Sequence, residues 1–126
     1  MNARIEHVAI WVQDLEGLRA FYAGTLGGVS GRLYENRVTG FRSYFISLGD
    51  GPRLELMHQP GRPSSGPAGG CAHIALALGS RAAVDEAVAT LRHQGVVVES
   101  DPRMTGDGYY EAVILDPERN RIELTV

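Results

Sequence analysis

Large apolar side chains occupy every second position near the start of the chain, which is typical of a strand with one buried face. Over residues 5–12 the two alternating sets are Val8, Ile10 and Val12 against His7, Ala9 and Trp11. Asp14 stands where a helix cap is expected, and leucine and aromatic residues then recur at helical spacing until Gly27. Residues 41–48 and 53–57 predict further strands. The first part of the chain thus predicts a strand, a helix and two or three strands.

The second half of the chain repeats this order of elements. Residues 72–78 predict a strand, and Ser80 begins a helix that ends at Gly95. Three more strands are predicted, at residues 96–99, 109–115 and 121–126. Both halves therefore predict the order βαβββ.

Short motifs recur along with the elements. His-Val-Ala-Ile at His7 matches His-Ile-Ala-Leu at His73, and Arg-Leu-Glu-Leu around Glu55 matches Arg-Ile-Glu-Leu around Glu123. The histidine and the glutamate lie 48 positions apart in the first half (7 to 55) and 50 in the second (73 to 123). Unrelated halves seldom repeat both motifs at such spacing, so we interpret the chain as a duplicated unit.

The duplication predicts the domain organisation and the fold class. Residues 60–70, rich in proline, glycine and serine, form the predicted linker between module 1–59 and module 71–126 of one domain spanning 1–126. An isolated module cannot bury both its helix and its sheet face well. We therefore expect an α+β fold in which the two modules pair into a curved, half-barrel mixed sheet with the helices on the outside.

Composition narrows the range of functions. The chain has 126 residues, of which 44 % are hydrophobic and 21 % charged, as in a compact soluble domain. A single cysteine excludes a disulfide scaffold and a paired-cysteine zinc site, and favours a reducing, cytoplasmic setting. A net charge of −3 without a basic cluster argues against a nucleic-acid partner. The apolar runs are too short to predict a membrane segment, and the N-terminal residues do not resemble a signal peptide.

The alternation of side chains along a strand predicts which sheet face the polar residues of the repeated motifs take. In each strand they alternate with the apolar residues that would lie under a helix, so all four are expected on the uncovered face: His7, Glu55, His73 and Glu123. Imidazole and carboxylate together suit a six-coordinate divalent cation with two open positions for neighbouring substrate oxygens. Taken singly, each residue is more typical of a hydrogen-bonded histidine or a solvated glutamate, but the duplicated pattern favours the metal interpretation.

These motifs carry a resemblance that extends from residue 5 to residue 126. With the Phe21-Tyr22 and Leu26-Gly27 helix and the turn at Asp116-Pro117, the chain resembles the vicinal oxygen chelate superfamily. That superfamily includes glyoxalase I, extradiol dioxygenases, fosfomycin-resistance enzymes, methylmalonyl-CoA epimerase and bleomycin-binding proteins. One fold hosts many reactions there, so the resemblance implies the fold more specifically than the activity.

The resemblance implies a metal set and a reaction. His7, Glu55, His73 and Glu123 occupy the positions of the glyoxalase I ligands, whereas dioxygenases of the family use two histidines and one glutamate. The implied enzyme is a lyase of the lactoylglutathione lyase type, which converts a 2-oxoaldehyde–thiol hemithioacetal through an enediolate. Glu123 would move the proton, and Glu55 would be a ligand and a second proton carrier.

The implied cofactor is one divalent metal ion per site (Ni, Co, Zn, Mn or Fe), without an organic cofactor. The implied assembly is a homodimer with the metal site at or near the interface. An extradiol-type dioxygenase, an epimerase and a non-catalytic, antibiotic-type small-molecule binding protein stay open as alternatives.

Two positions of the sequence differ from those of glutathione-using glyoxalases, so the identity of the thiol in the substrate stays open. Glutathione-using glyoxalases carry an arginine where this chain has Trp11 and an asparagine where it has Gln59. Candidate substrate-binding residues are Trp11, Gln59, Arg103, Tyr109 and Tyr110. For these residues the competing interpretations are a core tryptophan, packed aromatic residues after a glycine turn, and a solvated arginine.

Overall fold

The computed structural model describes residues 6–63, 73–106 and 108–126, which fall into two compact units, residues 1–70 and 71–126. The first unit contains strand β1 (His7–Trp11), helix α1 (Leu15–Arg19) with a π-helical continuation (Ala20–Thr25), and strands β2 (Val29–Ser30), β3 (Tyr34–Asn36), β4 (Phe41–Ser47) and β5 (Arg53–His58). The second contains β6 (Ile74–Ala77), α2 (Arg81–His93), β7 (Val97–Met104), β8 (Tyr110–Leu115) and β9 (Arg121–Thr125). The α+β class predicted from the sequence is confirmed.

Each unit has one mixed sheet with the same topology. The strand order is β1-β5-β4-β2 in the first unit, where β3 also pairs with β4, and β6-β9-β8-β7 in the second. The first and last strands of each unit run parallel to each other, and all other neighbours are antiparallel. The parallel pairs β1–β5 and β6–β9 place the histidine-containing segment of each unit beside the glutamate-containing strand.

Helix α1 together with its π-helical continuation begins and ends where the sequence predicts. The Asp14 carboxylate accepts a hydrogen bond from the Gly17 amide at 3.0 Å, which satisfies a free donor of the first turn. The helix continues in the π form from Ala20 to Thr25. Gly27 then takes a positive φ of 74°, a backbone conformation that residues with a Cβ avoid, and ends the helix.

The core of the first unit lies between its sheet and helix α1. Strand residues of one face and helix residues are fully or almost fully buried, namely Ile10, Ile46, Leu56, Leu18 and Tyr22. Their burial follows the predicted alternation, because Ile10 and Leu56 are also register partners on one face of the sheet. The other face carries His7 and Glu55.

The second unit repeats this arrangement with a longer, regular helix. Ser80 caps α2 by accepting a hydrogen bond from the Ala83 amide at 3.1 Å. The buried stripe of α2, spaced at helical intervals, consists of Val84, Val88 and Leu91. It packs on the sheet face that contains Ile122 and Leu124, and Gly95 (φ 84°) follows the helix end as predicted.

A tyrosine on the penultimate strand of each unit ties the sheet to the helix. The Tyr44 hydroxyl donates to Glu16 of α1 at 2.8 Å, and the Tyr110 hydroxyl donates to Asp85 of α2 at 2.6 Å. An arginine of the same helix lies over each ring, its guanidinium carbon 5.1 Å from the ring centre in both units: Arg19 over Tyr44 and Arg81 over Tyr110. The duplicated sequence thus produces a duplicated polar tie.

The structure differs from the predicted elements in detail. The predicted order βαβββ requires one strand between α1 and β4, for which no bounds were predicted, and the structure has two short strands there, β2 and β3. Strand β7 extends to Met104 rather than ending at residue 99, with two irregularities in its pairing with β8. Short edge strands such as β2 and β3 hold too few alternating residues to produce a period of two. The predicted linker is described only for residues 60–63, and pairing of the two sheets into a half-barrel stays a prediction. In the described part of the chain no helix is long and apolar enough to cross a membrane.

Candidate functional site

The first histidine–glutamate couple is formed by the parallel pairing of β1 with β5. His7 pairs with Arg53 and Ala9 pairs with Glu55, so these four side chains share the sheet face away from α1. The Nε2 atom of His7 lies 3.8 Å from Oε2 of Glu55. The His7 side chain is 40 % exposed and that of Glu55 is 15 % exposed, so the couple is accessible from the histidine side.

Two side chains, Glu6 and Phe45, contact the His7 ring, and Arg53 contacts both of them. Its Nδ1 atom lies 2.5 Å from Oε2 of Glu6, and its edge meets the Phe45 ring at a centroid distance of 5.3 Å. Arg53 forms an ion pair with Glu6 and lies over the Phe45 ring at 4.3 Å. The hydrogen bond from His7, followed by that from Arg53, lowers the pKa of the Glu6 carboxyl below its ordinary value. Glu6 is therefore ionised and accepts both hydrogen bonds.

The second couple has the same origin in the parallel pairing of β6 with β9. Ala75 pairs with Glu123 in this ladder, and His73 comes directly before β6. The Nδ1 atom of His73 lies 3.4 Å from Oε1 of Glu123. The two side chains are 48 % and 22 % exposed, and the alanines on this face of β6 leave space around the carboxylate.

The two couples fit the chemistry of a divalent cation. Each brings one imidazole nitrogen and one carboxylate oxygen to 3.8 Å or 3.4 Å, close to the distance of about 3 Å between adjacent ligands around a metal with bonds near 2.1 Å. Among the described residues no group of three or more His, Cys, Asp or Glu side chains could hold a metal. A single couple therefore supplies two ligands, and the predicted set of four needs both.

Trp11 lies on the same sheet face as His7. It is half-buried, its ring meets Phe41 edge-on at 6.0 Å, and the guanidinium of Arg62 lies 4.7 Å above it. Gln13 donates to the Arg62 carbonyl at 2.6 Å, and the Arg62 amide donates to the Gln59 carbonyl at 3.1 Å. Gln59 thus forms the turn that carries Arg62 to Trp11. The Arg62 guanidinium therefore places a positive charge beside Trp11, although Trp11 itself is apolar.

The remaining predicted substrate-binding residues separate into two groups. Arg103 is exposed on β7 and pairs in register with Glu111, which shares the Glu123 side of the sheet. Tyr109 is 56 % exposed just before β8. Tyr110 instead lies on the helix side, bonded to Asp85, so the structure does not bring it to Glu123 and we leave it out of the site.

Two further histidines, which the sequence gave no reason to select as ligands, lie outside the couples. The Nδ1 atom of His58 lies 3.0 Å from the Val12 carbonyl, on the opposite strand face from Glu55. His93 is the last residue of α2. Cys71 and Asp107 lie outside the described residues.

Sequence reasoning missed Glu6, Arg53 and Arg62. Glu6 stands next to His7, and Arg53 stands two positions before Glu55, so both are visible as charges flanking the repeated motifs. Their mutual contact depends on the parallel register of β1 and β5, which a single sequence does not provide. Arg62 lies in the predicted linker, where charged residues are ordinarily solvated.

The sequence profile of the Glyoxalase/Bleomycin resistance protein/Dioxygenase superfamily matches residues 4–124. Methylmalonyl-CoA epimerase from Bos taurus is 29 % identical over 121 residues, which cover 90 % of this chain and 67 % of the epimerase. Ethylmalonyl-CoA/methylmalonyl-CoA epimerase from Cereibacter sphaeroides is 40 % identical over 81 residues, which cover 59 % of this chain and 60 % of that protein.

Solved structures with the same fold include glyoxalases. The trypanothione-dependent glyoxalase I of Leishmania major superposes with a TM-score of 0.79 and 27 % identity, covering 98 % of this chain and 86 % of that one. A glyoxalase family protein from Enterococcus faecalis superposes with a TM-score of 0.80 and 24 % identity, covering 97 % and 96 % of the two chains.

Proposed function

The chain belongs to the glyoxalase/bleomycin resistance protein/dioxygenase superfamily, and on this basis we propose that it is a metal-dependent enzyme that transfers a proton between neighbouring carbons. The first candidate reaction is that of a glyoxalase I-like lyase, which converts the hemithioacetal of a 2-oxoaldehyde and a thiol through an enediolate. The observation that carries the proposal is the duplicated histidine–glutamate couple, one in each unit.

The couples offer a ligand set suited to the metal that the reaction needs. His7, Glu55, His73 and Glu123 would hold one divalent cation (Ni, Co, Zn, Mn or Fe). Bound there, it would supply Lewis-acid polarisation of two neighbouring substrate oxygens. No organic cofactor is needed, because removal and return of a proton involves no net oxidation or group transfer.

Glu123 is the proposed general base and acid. Its carboxylate is 22 % exposed, so it is accessible to a small molecule. It would take the proton from one carbon and return it to the next. Glu55 is more enclosed, at 15 % exposure, and is proposed as a ligand and second proton carrier.

The proposed substrate-binding residues are Trp11, Gln59, Arg103 and Tyr109. Trp11 offers an aromatic surface with the Arg62 guanidinium against it. In the described part of the chain Arg62 forms no salt bridge, so its charge is available to an anionic substrate group. Arg103 and Tyr109 add a cation and a hydroxyl near the Glu123 side of the second sheet.

Epimerisation beside a thioester carbonyl is the second candidate. It is favoured by the relatives named methylmalonyl-CoA epimerase and by Trp11, which replaces the arginine expected for glutathione recognition. It needs the same chain residues, because a proton is removed beside a polarised carbonyl and returned on the other face.

One experiment distinguishes these reactions. The protein, reconstituted separately with nickel, cobalt, manganese or zinc, is incubated in deuterated water with methylglyoxal plus several thiols, and with a 2-substituted malonyl thioester. Thiol-dependent formation of a 2-hydroxyacyl thioester supports the lyase, and deuterium uptake with racemisation supports the epimerase. The substitution Glu123→Gln should lower either activity by about 10²–10⁴-fold. Oxygen consumption with a catechol would instead identify a dioxygenase, and ligand binding without exchange a binding protein.

The proposed assembly is a cytoplasmic homodimer in which the couples of two chains share metal ions. Subunit complementation tests it. His7→Ala and Glu123→Gln are each expected to be inactive, but a mixed dimer restores one intact set of ligands if the couples come from different chains. Sedimentation gives the oligomeric state, and a fully active monomer would contradict the proposal.

A further inference from the structure

We propose that Glu6, fastened by Arg53, is a positioning residue that fixes the orientation and the tautomer of His7, so that Nε2 is the ring nitrogen available for ligation. The inference rests on the proposed role of His7 as a ligand, and it assigns a task to two charged residues that the proposed reaction does not otherwise use.

The contacts of Glu6 divide between its two oxygens. Oε2 lies 2.5 Å from Nδ1 of His7, and Oε1 accepts from Nε of Arg53 at 2.9 Å. The second guanidinium nitrogen, Nη2, also bonds to Oε1. Because the carboxylate is held at both ends, it has a defined direction toward the imidazole rather than the free rotation of a surface glutamate.

The backbone fixes the same three residues. The Arg53 amide donates to the Glu6 carbonyl at 3.0 Å, which extends the β1–β5 pairing by one residue beyond β1. Since His7 pairs in register with Arg53, the side chains of both start from neighbouring positions on one sheet face.

Phe45 closes a ring of contacts. It meets the His7 ring edge-on at 5.3 Å and lies beneath the Arg53 guanidinium at 4.3 Å. Each of the four side chains, those of Glu6, His7, Phe45 and Arg53, therefore touches two others. Such a closed set restricts the imidazole more than one hydrogen bond does, because a rotation of the ring breaks two contacts together.

The chemistry of the bond determines the tautomer. An ionised carboxylate only accepts hydrogen bonds, so Nδ1 of His7 carries the proton and Nε2 of the neutral ring keeps its lone pair. Nε2 is also the nitrogen that faces Glu55, at 3.8 Å. Carboxylates that orient a ligating histidine in this way raise its basicity and define its geometry.

The second unit provides the contrast. Arg121, at the position matching Arg53, forms its ion pair with Glu99 on β7, Nε to Oε2 at 2.8 Å. Nδ1 of His73, rather than Nε2, faces Glu123 at 3.4 Å. Among the described residues an arginine–carboxylate pair occurs in both units, and in the first unit its carboxylate also bonds to the histidine.

The test measures the tautomer in the metal-free protein. Long-range ¹H–¹⁵N spectra of the neutral imidazole should show the His7 proton on Nδ1 in the wild type. The substitution Glu6→Ala should convert the ring to the Nε2-protonated tautomer or a mixture. Glu6→Gln, whose amide oxygen can accept the same bond, should restore the Nδ1-protonated form.

Metal affinity gives a second readout. Calorimetric titration with zinc should show affinity about 10–100-fold lower for Glu6→Ala, with recovery in Glu6→Gln. Arg53→Met should give a partial loss, since the carboxylate stays but loses its anchor. The matched control is Glu99→Ala, which removes the arginine's partner in the other unit and should change neither the His7 tautomer nor the affinity.

The outcomes separate this inference from the proposed function. A Glu6→Ala protein with a native circular dichroism spectrum and an unchanged His7 tautomer would overturn the inference, whatever its activity. If Glu6→Ala does not fold, an Arg53→Met protein with an unaltered tautomer and unaltered zinc affinity overturns it. A wild type that lacks turnover but shows the Glu6-dependent tautomer would contradict the proposed reaction and support the positioning role.

Discussion

The two units contain the same histidine–glutamate couple but support it differently. In the first, the imidazole contacts Glu6 and Phe45, both of which also contact Arg53, and Nε2 faces Glu55. In the second, the matching arginine is engaged with Glu99, and Nδ1 of His73 faces Glu123. The two units thus agree in which residues share a sheet face, because strand pairing determines it, but differ in the other contacts of each histidine, which depend on single neighbouring residues.

The contrast extends to the exposure of the glutamates. Glu55 is the more enclosed of the two, at 15 % against 22 %, and lies beside an aromatic and cationic set of neighbours. Glu123 lies on a face with small residues and charged residues of β7 and β8. The Glu55 side chain is thus the more enclosed of the two and that of Glu123 the more accessible, in keeping with the proposed roles of metal ligand and general base.

The largest predicted effect compares the two glutamates. Glu123→Gln removes the proposed base and should lower kcat by about 10²–10⁴-fold, whereas Glu55→Gln keeps an oxygen ligand and should lower it less. Deuterium exchange into substrate, measured at saturating metal, gives both values. Equal losses in the two variants would contradict the division of roles between the couples.

Matched core substitutions test whether the two units are equally well packed. Leu56 and Leu124 are both buried strand residues beside a glutamate of a couple, at 0 % and 2 % exposure. Replacing either with alanine should lower the free energy of unfolding by about 2–5 kcal/mol, as measured by urea denaturation. A much smaller cost in one unit would mean that its core relaxes around the cavity.

The turns that precede the glutamate-containing strands should differ. Asp116 is buried and accepts hydrogen bonds from the Glu118 amide at 2.9 Å, the Asn120 amide at 2.8 Å and the Asn120 side chain at 2.7 Å. Asp116→Ala leaves these donors unpaired and should cost about 3 kcal/mol. In the exposed turn of the first unit, Asp50→Ala should change stability by less than about 0.5 kcal/mol. Thermal unfolding of both variants checks the difference.

The smallest effect concerns the tyrosine ties. Two effects raise the pKa of Tyr44: the larger is its burial, and the next is its hydrogen bond to Glu16. The folded state therefore holds the phenolic proton more tightly than the unfolded state. The resulting stability is present below about pH 10, the ordinary tyrosine value, and is lost as the pH rises through the folded pKa.

Tyr44→Phe should therefore cost about 1 kcal/mol at neutral pH, and the difference from wild type should shrink above about pH 10. Tyr110→Phe is the matched variant, because the pKa of Tyr110 is also raised, with the hydrogen bond to Asp85 as the largest cause. Urea denaturation across this pH range measures both. A difference that stays constant with pH would show that the hydroxyl contact is not titrating.

Much of the fold could be predicted from the sequence because the duplicated strands alternate clearly. Ile10 and Leu56 on one face, and His7 and Glu55 on the other, follow from a period of two. The proximity of each couple required the parallel register, which came from the structure. The two-residue period of a strand therefore predicts which sheet face a side chain takes, and the pairing of the strands determines the distance between histidine and glutamate.

Tyr110 shows where the pattern stops being informative. Residues 112–115 of β8 are buried on both faces, so apolar alternation does not reveal which side the neighbouring tyrosine takes. Irregular pairing of β7 with β8 adds to the ambiguity. The Arg62–Trp11 contact could not be predicted either, since it depends on the path of the chain after β5.

Pairing the first strand of a unit with its last has a mechanical consequence for both couples. Each histidine precedes its glutamate by 48 or 50 positions, and the chain between them includes the whole helix and the intervening strands. A ligand that grips both members would close that long loop and oppose fraying of the terminal strand, so occupancy and folding of the unit become thermodynamically linked. An amide of β1 or β6 that exchanges its hydrogen more slowly when metal is added would register that link directly.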